Sequence, residues 1–485
     1  MRGVSEQIAV TASGAPGMGA VAAGSGLTRD AAAHMLRLGG SAHDAVVAGA
    51  FAATVGEPTL ASLGGGGFCI TGVPGEVPVV TDFFVDMPGR GAAPARPEPM
   101  TNLSVTFTSG VRQDFHVGWS SVAVPGALTG LLALHAHGGR LPLSEVLAPA
   151  IAAARAGVML DAVQVDFIRV IGPILQLTPA SAALFAPPLE GRAFRNVAYA
   201  DMLDRLASGE SPEAAYSAPV AAAISDHAGL VTHADLLTYA AVPRVPIRVR
   251  RGQAWIWTNP PPAFGGAIVL EALALMPSGD PWGALPDALR RATRRHRDGA
   301  QPGQVARGTT HLSVVDSEGC AAALSISNGS CSGTVAAGVA LNNMLGEADL
   351  HPGGAPYLPA GERLRSMMAP TIVIGDDGTV TALGTGGSER IRSALTQVLL
   401  RTLDEDQDLA EAIGAPRLHA GEALIDLEPG WAPSITARIR DGHSPVREWP
   451  SRDLYFGGVH AVRRAPDGRV TAVADPRRGG AVAVV

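Results

Sequence analysis

The stretch ARGTTHLSVVD, residues 306–316, places two adjacent threonines and a histidine directly after a glycine. The apolar run Leu312–Val315 predicts a β-strand, so Thr309 and Thr310 lie at its beginning. One interpretation is structural, because β-branched threonines commonly open a strand. The other is chemical: the peptide bond between Gly308 and Thr309 is a site of self-cleavage.

A threonine hydroxyl is a weak nucleophile at neutral pH and needs a base beside it. Cleavage before Thr309 would free its own α-amine, whose ordinary pKa of about 7.7–8.0 suits general-base catalysis. Gly308 would permit strained backbone geometry at the bond to be broken. The predicted chemistry passes through an acyl ester on Thr309 Oγ1, which is released to water or to an amine acceptor.

The composition excludes several other chemistries. The 485 residues are 47% apolar and 17% charged, which suits one large or two to three ordinary packed domains. All 37 basic residues are arginine, so Schiff-base lysines, Ser-Lys dyads and the lysine of a phosphate-binding loop are excluded. The net charge of −7 gives no reason to expect nucleic acid or an anionic membrane as partner.

The cysteine pattern and the N-terminal sequence indicate the cellular compartment. Three cysteines form no CxxC pair, and neither a signal-peptide core nor 18 consecutive apolar residues are found. We therefore expect a soluble, cytoplasmic protein. No HExxH motif or Cys/His cluster occurs either, so the sequence predicts neither a metal nor a cofactor.

The element pattern changes at Thr309. Before it, alanine-rich helices alternate with short strands, and Ser41 with Asp44 forms a variant capping box. The tail DGAQPGQVARG is expected to be an exposed, mobile loop. Beyond Thr309 the pattern is mostly strands, and the stretch GTGGS offers the pair Gly386-Gly387, whose backbone N–H groups could stabilise an oxyanion.

Seven stretches resemble, in the same order along nearly the whole chain, the landmarks of the γ-glutamyltransferase (γ-glutamyltranspeptidase) family of N-terminal nucleophile hydrolases. They are LGGGGF (63–68), the segment 121–158, NPPPAFGG (259–266), TTHLSVVD (309–316), LNN (341–343), SMMAPTIV (366–373) and GTGGSERI (384–391). The resemblance implies an α+β fold, a four-layer αββα sandwich formed from an autocleaved precursor. Its large fragment would be residues 1–308 and its small fragment 309–485, held together as a heterodimer.

The resemblance also implies roles for individual residues. Thr309 matches the family's nucleophile, and Gly386 with Gly387 matches its oxyanion glycine pair. Ser327 falls where the family has a hydroxyl residue supporting the nucleophile, and Asn328 is expected to be a nearby polar substrate contact.

The chain departs from the family where a glutamyl head group would bind. Phe84 and Val85 stand where the family has an arginine, and Arg90 lies a few residues later. Met344 stands where the family has an amide, and Met367 where it has the second serine of a pair, of which Ser366 remains. Glu347 or Asp349 is the acid that could bind the donor's amine. The substrate-binding candidates are Asn328, Glu347, Ser366 and Arg90. Because these changes make the clamp more apolar, we expect an acyl donor other than a glutathione-like compound, such as a glutaryl-type or another amide.

Two alternatives belong to other classes. The stretch GSCSG, residues 329–333, has the G-x-C-x-G form of a nucleophile elbow, which would make Cys331 the nucleophile of an α/β-hydrolase. Alternatively, the chain stays uncut and serves as a non-catalytic binding or scaffold protein.

Overall fold

Two seven-stranded antiparallel sheets form the centre of the molecule. The structure is a computed structural model that describes residues 9–92, 94–106, 112–186, 191–277, 281–296, 308–347, 358–443 and 445–485. The strands, in chain order, are β1 Val10–Gly14, β2 Ala20–Ala23, β3 Gly66–Gly72, β4 Val79–Phe83, β5 Thr101–Thr106, β6 Arg112–Val117, β7 Val242–Arg244, β8 Ile247–Arg251, β9 Ala254–Thr258, β10 Gly308–Val315, β11 Ala321–Gly329, β12 Val335–Ala336, β13 Val339–Ala340, β14 Thr371–Gly375, β15 Val380–Gly386, β16 Leu418–Ala420, β17 Ile425–Leu427, β18 Val446–Glu448, β19 Gly458–Arg464, β20 Val470–Ala474 and β21 Ala481–Val484.

Sheet I has the strand order β1-β20-β19-β15-β14-β9-β8, and sheet II has the order β21-β2-β10-β11-β3-β4-β7. Small sheets are formed by β5 with β6, by β12 with β13, and by β16, β17 and β18. Each large sheet contains strands from both sides of the bond between residues 308 and 309. A cut at that bond would therefore leave two fragments that share both sheets.

The helices lie between and after these strands. They are α1 Gly26–Arg37, α2 Ala42–Gly56, α3 Ala127–Gly138, α4 Leu143–Ala156, α5 Ala162–Val170, α6 Gly172–Leu175, α7 Pro179–Leu184, α8 Val197–Ala207, α9 Ala218–Asp226, α10 His233–Thr238, α11 Gly265–Leu275, α12 Leu285–His296, α13 Arg390–Leu403, α14 Leu409–Gly414 and α15 Pro433–Gly442. None of the helices in the described ranges is long and apolar enough to cross a membrane.

The two large sheets pack face to face, with β10 against β15 and β19. Helix α2 packs on the other face of β10 and β11, and α13 packs against β15 in sheet I. Side chains along β10 alternate accordingly: Leu312 and Val314 join the core under α1 and α2. His311 points the other way, because a β-carbon added to Gly384 of β15 would lie 2.3 Å from its ring. Thr309, two residues before His311, therefore faces the space between the sheets.

The expected mixture of helices and strands is confirmed, and the strands of both large sheets are antiparallel. The capping box at the start of α2 is also confirmed, with Asp44 N–H donating to Ser41 Oγ and Ser41 N–H donating to the Asp44 carboxylate. The glycine run 64–67 is explained by close backbone approach: a β-carbon added to Gly65 would lie 2.0 Å from the Ser327 carbonyl oxygen. The tail expected to be a loop, residues 298–307, lies outside the described residues.

Candidate active site

Thr309 and Ser327 form the centre of the site. They face each other across β10 and β11, and Thr309 is only 4% exposed. Thr309 Oγ1 donates a hydrogen bond of 3.2 Å to Ser327 Oγ, which in turn donates one of 2.6 Å to the Gly308 carbonyl oxygen. The Gly329 N–H donates to the same Ser327 oxygen at 3.1 Å. One serine hydroxyl thus joins the predicted nucleophile to the carbonyl of the bond predicted to break.

Gly308 occupies a position with no room for a side chain. A β-carbon there would lie 2.2 Å from the Thr59 carbonyl oxygen and 2.8 Å from that of Gly329. The φ angle of Gly308 is outside the left-handed region, so its backbone conformation does not require glycine. The close approach of these carbonyl groups is what requires a residue without a side chain. The β10–β11 register shifts between Gly308 and Thr309, so the ladder is irregular at the predicted cleavage site.

The glycine pair lies directly beside the predicted nucleophile. A β-carbon on Gly386 would lie 2.0 Å from the Thr309 carbonyl oxygen, so only glycine fits. Gly387 and Ser388 follow with φ angles of +132° and +53° and lead into α13. Thr309, Ser327 and the glycine pair thus lie together in the fold, and their catalytic roles stay predictions.

Thr309 and Ser327 open onto a small cavity between the sheets. Five of its other walls are apolar side chains: Phe84, Met344, Met367, Met368 and Ile391. Three are polar: Glu347, Ser366 and Ser388. A larger cavity of about 450 Å³, lined by Arg251, Arg463 and their neighbours, lies elsewhere and contains none of the predicted site residues. We place the site at the smaller cavity because the nucleophile candidate borders it.

The residues that differ from the family pattern line this cavity. Phe84, at the family's arginine position, is 2% exposed and stacks on Phe68 with ring centroids 5.6 Å apart. Glu347 is buried with Oε1 close to Gly329, since a β-carbon on that glycine would lie 2.8 Å away. Ser366 Oγ accepts a hydrogen bond of 3.1 Å from the Met368 N–H. Two of the predicted substrate contacts, Glu347 and Ser366, thus lie in the cavity; Asp349 lies outside the described residues.

Two other candidates lie away from the cavity, contrary to expectation. Arg90 is held outside the cavity by other contacts: Nη2 donates to the Gly361 carbonyl of a distant segment at 3.1 Å, and Nη1 lies 3.7 Å from Asp86 Oδ2. Asn328 follows Ser327 in β11, so its side chain points to the opposite face of the strand. It donates to Cys331 Sγ at 3.4 Å.

Cys331 does not have the environment of a nucleophile. Burial raises the pKa of its thiol to about 12, and its sulfur lies 3.9 Å from the Thr59 carbonyl oxygen. The residue lies in a turn that joins β11 of sheet II to the short strand β12, so a strand and not a helix follows it. This geometry argues against the α/β-hydrolase alternative.

Glu57 is a buried carboxyl that sequence reasoning missed. It follows α2 on the helix side of β10, where Oε2 accepts from Thr310 Oγ1 at 2.5 Å and Oε1 accepts from Thr28 Oγ1 at 2.8 Å. Burial raises its pKa to about 7, against the lowering effect of those hydroxyl groups. No sequence pattern predicts this contact, because Glu57 and Thr310 are 253 positions apart.

His311 lies in the packed interior, where its ring contacts two serine side chains. It is buried between the sheets, with Nδ1 and Nε2 each 2.9 Å from a serine oxygen, those of Ser325 and Ser313. Burial lowers its pKa well below the usual value, so the ring is neutral. Within the ranges described, no group of three or more His, Cys, Asp or Glu side chains is arranged to hold a metal ion.

Known proteins resemble this chain in both sequence and fold. The profile of the gamma-glutamyltranspeptidase family matches residues 28–287 and 284–485. A relative named acylase ACY 1 proenzyme, from Pseudomonas sp. strain V22, is 30% identical over 94% of this chain and 91% of its own length. The glutathione hydrolase proenzyme of Escherichia coli K12 is 26% identical over 91% of this chain and 87% of its own.

The fold is similar to the crystal structure of a cephalosporin acylase from Bacillus halodurans, with a TM-score of 0.80, 22% identity, and coverage of 100% of this chain and 98% of that one. At that identity the likeness establishes the fold alone. The profile match over most of the chain establishes the family. The chain therefore belongs to the gamma-glutamyltranspeptidase family, whose relatives here include acylases and glutathione hydrolases.

Proposed function

We propose that the chain is an N-terminal threonine amidohydrolase or acyltransferase that cuts itself between Gly308 and Thr309. The observation that carries the proposal is the hydrogen-bonded chain from Thr309 Oγ1 through Ser327 Oγ to the Gly308 carbonyl oxygen. The hydroxyl that would attack, on Thr309, thus lies next to the Ser327 hydroxyl, which donates to the carbonyl that would be attacked.

Self-cleavage would begin with attack of Thr309 Oγ1 on the Gly308 carbonyl carbon. The Ser327 hydroxyl donates to the Gly308 oxygen and so stabilises the negative charge that develops there. The C–N bond then breaks, and the Thr309 nitrogen keeps the electron pair and takes up the proton that Oγ1 has lost, which frees the α-amine and leaves Gly308 as an ester on Oγ1. Water then hydrolyses this ester, which frees the Thr309 hydroxyl and leaves Gly308 as a terminal carboxylate.

In the cleaved protein, the α-amine would act as general base for its own hydroxyl. Thr309 Oγ1 attacks the donor's amide carbonyl, and backbone N–H groups at Gly386-Gly387 stabilise the oxyanion. The leaving amine takes the proton held by the α-amine and departs. Water or an amine acceptor then attacks the acyl ester and regenerates Thr309.

The cavity walls support a donor other than a γ-glutamyl compound. An α-carboxylate needs a cation, yet Phe84 stands at the family's arginine position and Arg90 is held outside the cavity. Met344 and Met367 replace polar side chains with thioethers. Two relatives are named acylase, which fits an amide donor of another kind.

The layer order supports the αββα sandwich and the heterodimer. The sheets are packed between α2 on one side and α13 on the other, and the fragments 1–308 and 309–485 would contribute strands to both sheets. Such fragments would share one core and remain associated after the cut.

The test compares p-nitroanilides of γ-glutamate, glutarate and butyrate as donors for the wild-type protein and its Thr309→Ala variant. We expect turnover of at least one acyl anilide, little turnover of the γ-glutamyl one, and none by the variant. Robust turnover of the γ-glutamyl anilide at micromolar concentration would contradict the altered clamp. Equal turnover by the variant would contradict the nucleophile assignment.

A further inference from the structure

The larger cavity, of about 450 Å³, lies on the face of sheet I that α13 covers. One row of side chains across three neighbouring strands borders it, because Thr381 of β15 is paired with Val373 of β14 and with Arg463 of β19. Small-molecule sites span ~300–1,000 Å³, so the cavity admits one small ligand. Four leucines contribute apolar surface to it: Leu383, Leu399, Leu403 and Leu409.

This cavity and the candidate active site lie at opposite ends of α13. Ser388, just before the helix, lines the smaller cavity, whereas Leu399 and Leu403 of its last turns line the larger one. A helix of 14 residues is about 20 Å long. A ligand in the larger cavity would therefore touch neither Thr309 nor the glycine pair.

Arg463 is the cation of this cavity that has hydrogen-bonding capacity left. Its Nε donates to Thr381 Oγ1 at 3.2 Å, and no described residue accepts a hydrogen bond from its two Nη atoms. The other arginine in the lining, Arg251, donates twice to the Asp404 carboxylate and once to the Leu273 carbonyl. The two free Nη groups of Arg463 form the planar fork that binds a carboxylate.

Three carboxylates surround Arg463, and none of them forms an ion pair with it in the described part of the chain. Burial lowers the pKa of the guanidinium, and the charges of Asp408, Asp406 and Asp377 oppose that change. Asp408 caps α14 by accepting from the Glu411 N–H at 2.7 Å and is not in the lining. Asp377 and Asp406 do line the cavity. A cation and two anions thus border one space that is wide enough to separate them.

Both acids in the lining can accept further hydrogen bonds. Asp377 accepts from the N–H and the hydroxyl of Thr379, each at 2.9 Å, and an ionised carboxylate has about four lone-pair sites. Asp406 lies in the exposed turn between α13 and α14, and no described residue donates to its carboxylate. An ammonium group, with its three donors, suits two such acceptors.

We propose that this cavity binds a free α-amino acid with an apolar side chain. The ligand's carboxylate pairs with the Nη groups of Arg463, its ammonium group lies between Asp377 and Asp406, and its side chain packs on the leucines. A ligand with a single charge would leave either the cation or the acids unmatched. The proposal concerns binding alone, so it depends neither on self-cleavage nor on the proposed function.

The test is isothermal titration calorimetry of the purified protein with L-leucine, with isocaproate, which lacks the amine, and with isopentylamine, which lacks the carboxylate. We expect leucine to bind roughly 10-fold more tightly than either, or better, because each charge contributes charge-assisted hydrogen bonds. Arg463→Met should weaken leucine binding roughly 10- to 100-fold and leave the affinity for isopentylamine unchanged. Asp406→Asn should weaken leucine binding but not isocaproate binding.

The matched control is Arg464→Met. Arg464 follows Arg463 in β19 and points to the other face, where a β-carbon on Gly319 would lie 3.1 Å from its Nε, so leucine affinity should not change. A melting curve of each variant verifies folding, and Asp406→Asn, in an exposed turn, decides the matter if Arg463→Met does not fold. Unchanged leucine affinity in Arg463→Met would overturn the site, as would isocaproate binding as tightly as leucine. The absence of saturable leucine binding at millimolar concentration by the folded wild-type protein would also overturn it.

Discussion

Replacing Glu57 by glutamine tests the buried carboxyl that holds Thr310. Its folded-state pKa is raised, so the neutral form is favoured by folding and the folded protein binds the proton more tightly than the unfolded chain. This contribution to stability is fully present below the unfolded pKa of 4.5 and is lost as the pH rises through about 7. Glutamine mimics the neutral acid and does not titrate.

The size of the effect follows from the shift. A rise from 4.5 to about 7, at about 1.36 kcal/mol per pH unit, is on the order of 3 kcal/mol in full, with most of it appearing between pH 5 and pH 8. For 485 residues the unfolding entropy is about 1 kcal/mol per kelvin, so the expected difference is about 2–3 °C in melting temperature. Glu57→Gln should therefore gain that much over the unsubstituted protein as the pH rises from 5 to 8.

The measurement is a melting curve for each protein at pH 5, 6, 7 and 8. Both proteins should carry Thr309→Ala, so that one uncut chain unfolds in every sample. A constant difference in melting temperature between the proteins with and without Glu57→Gln across this range would show that the carboxyl is ionised in the folded state and would refute the reasoning. A matched control is Glu318→Gln, because Glu318 pairs with Arg140 on the surface and its pKa is lowered.

The other predictions concern the cut and its surroundings. Ser327→Ala should slow self-cleavage by roughly 10²–10³, the usual effect of losing one oxyanion donor, whereas Ser327→Thr should keep it; a time course of fragment appearance on a denaturing gel measures both. Gly308→Ala should destabilise the precursor by about 1–3 kcal/mol or leave it uncut, because its β-carbon would meet the Thr59 carbonyl; a normally cut, equally stable variant would show that residues 59 and 308 are not in contact. Cys331→Ala should keep both self-cleavage and anilide turnover, and loss of turnover in a correctly cut protein would revive the cysteine alternative.

The predicted site residues that lie together belong to strands and tight glycine turns, and the resemblance to the family was needed to relate Ser327 and the glycine pair to Thr309. Thr309 and Ser327 are directly paired in neighbouring strands, and Gly386 must approach Thr309 where no side chain fits. These positions carry strict backbone requirements, and such requirements leave recognisable residues in a sequence.

The misplaced residues depended on information that a linear motif does not contain. Asn328 is adjacent to Ser327 in β11, and side chains alternate along a strand, so the two could not face one cavity. Arg90 is directed by Gly361 and Asp86, and the contact with Gly361 forms only in the folded chain. The pairing of Glu57 with Thr310 likewise arises from packing between distant segments.

The measurement that tests the central claim most directly is the intact mass of the freshly purified protein under denaturing conditions. The account predicts two fragments that meet between Gly308 and Thr309, and a single uncut chain for Thr309→Ala. A wild-type protein that remains one chain of 485 residues would contradict it, because the α-amine that serves as base would never be released.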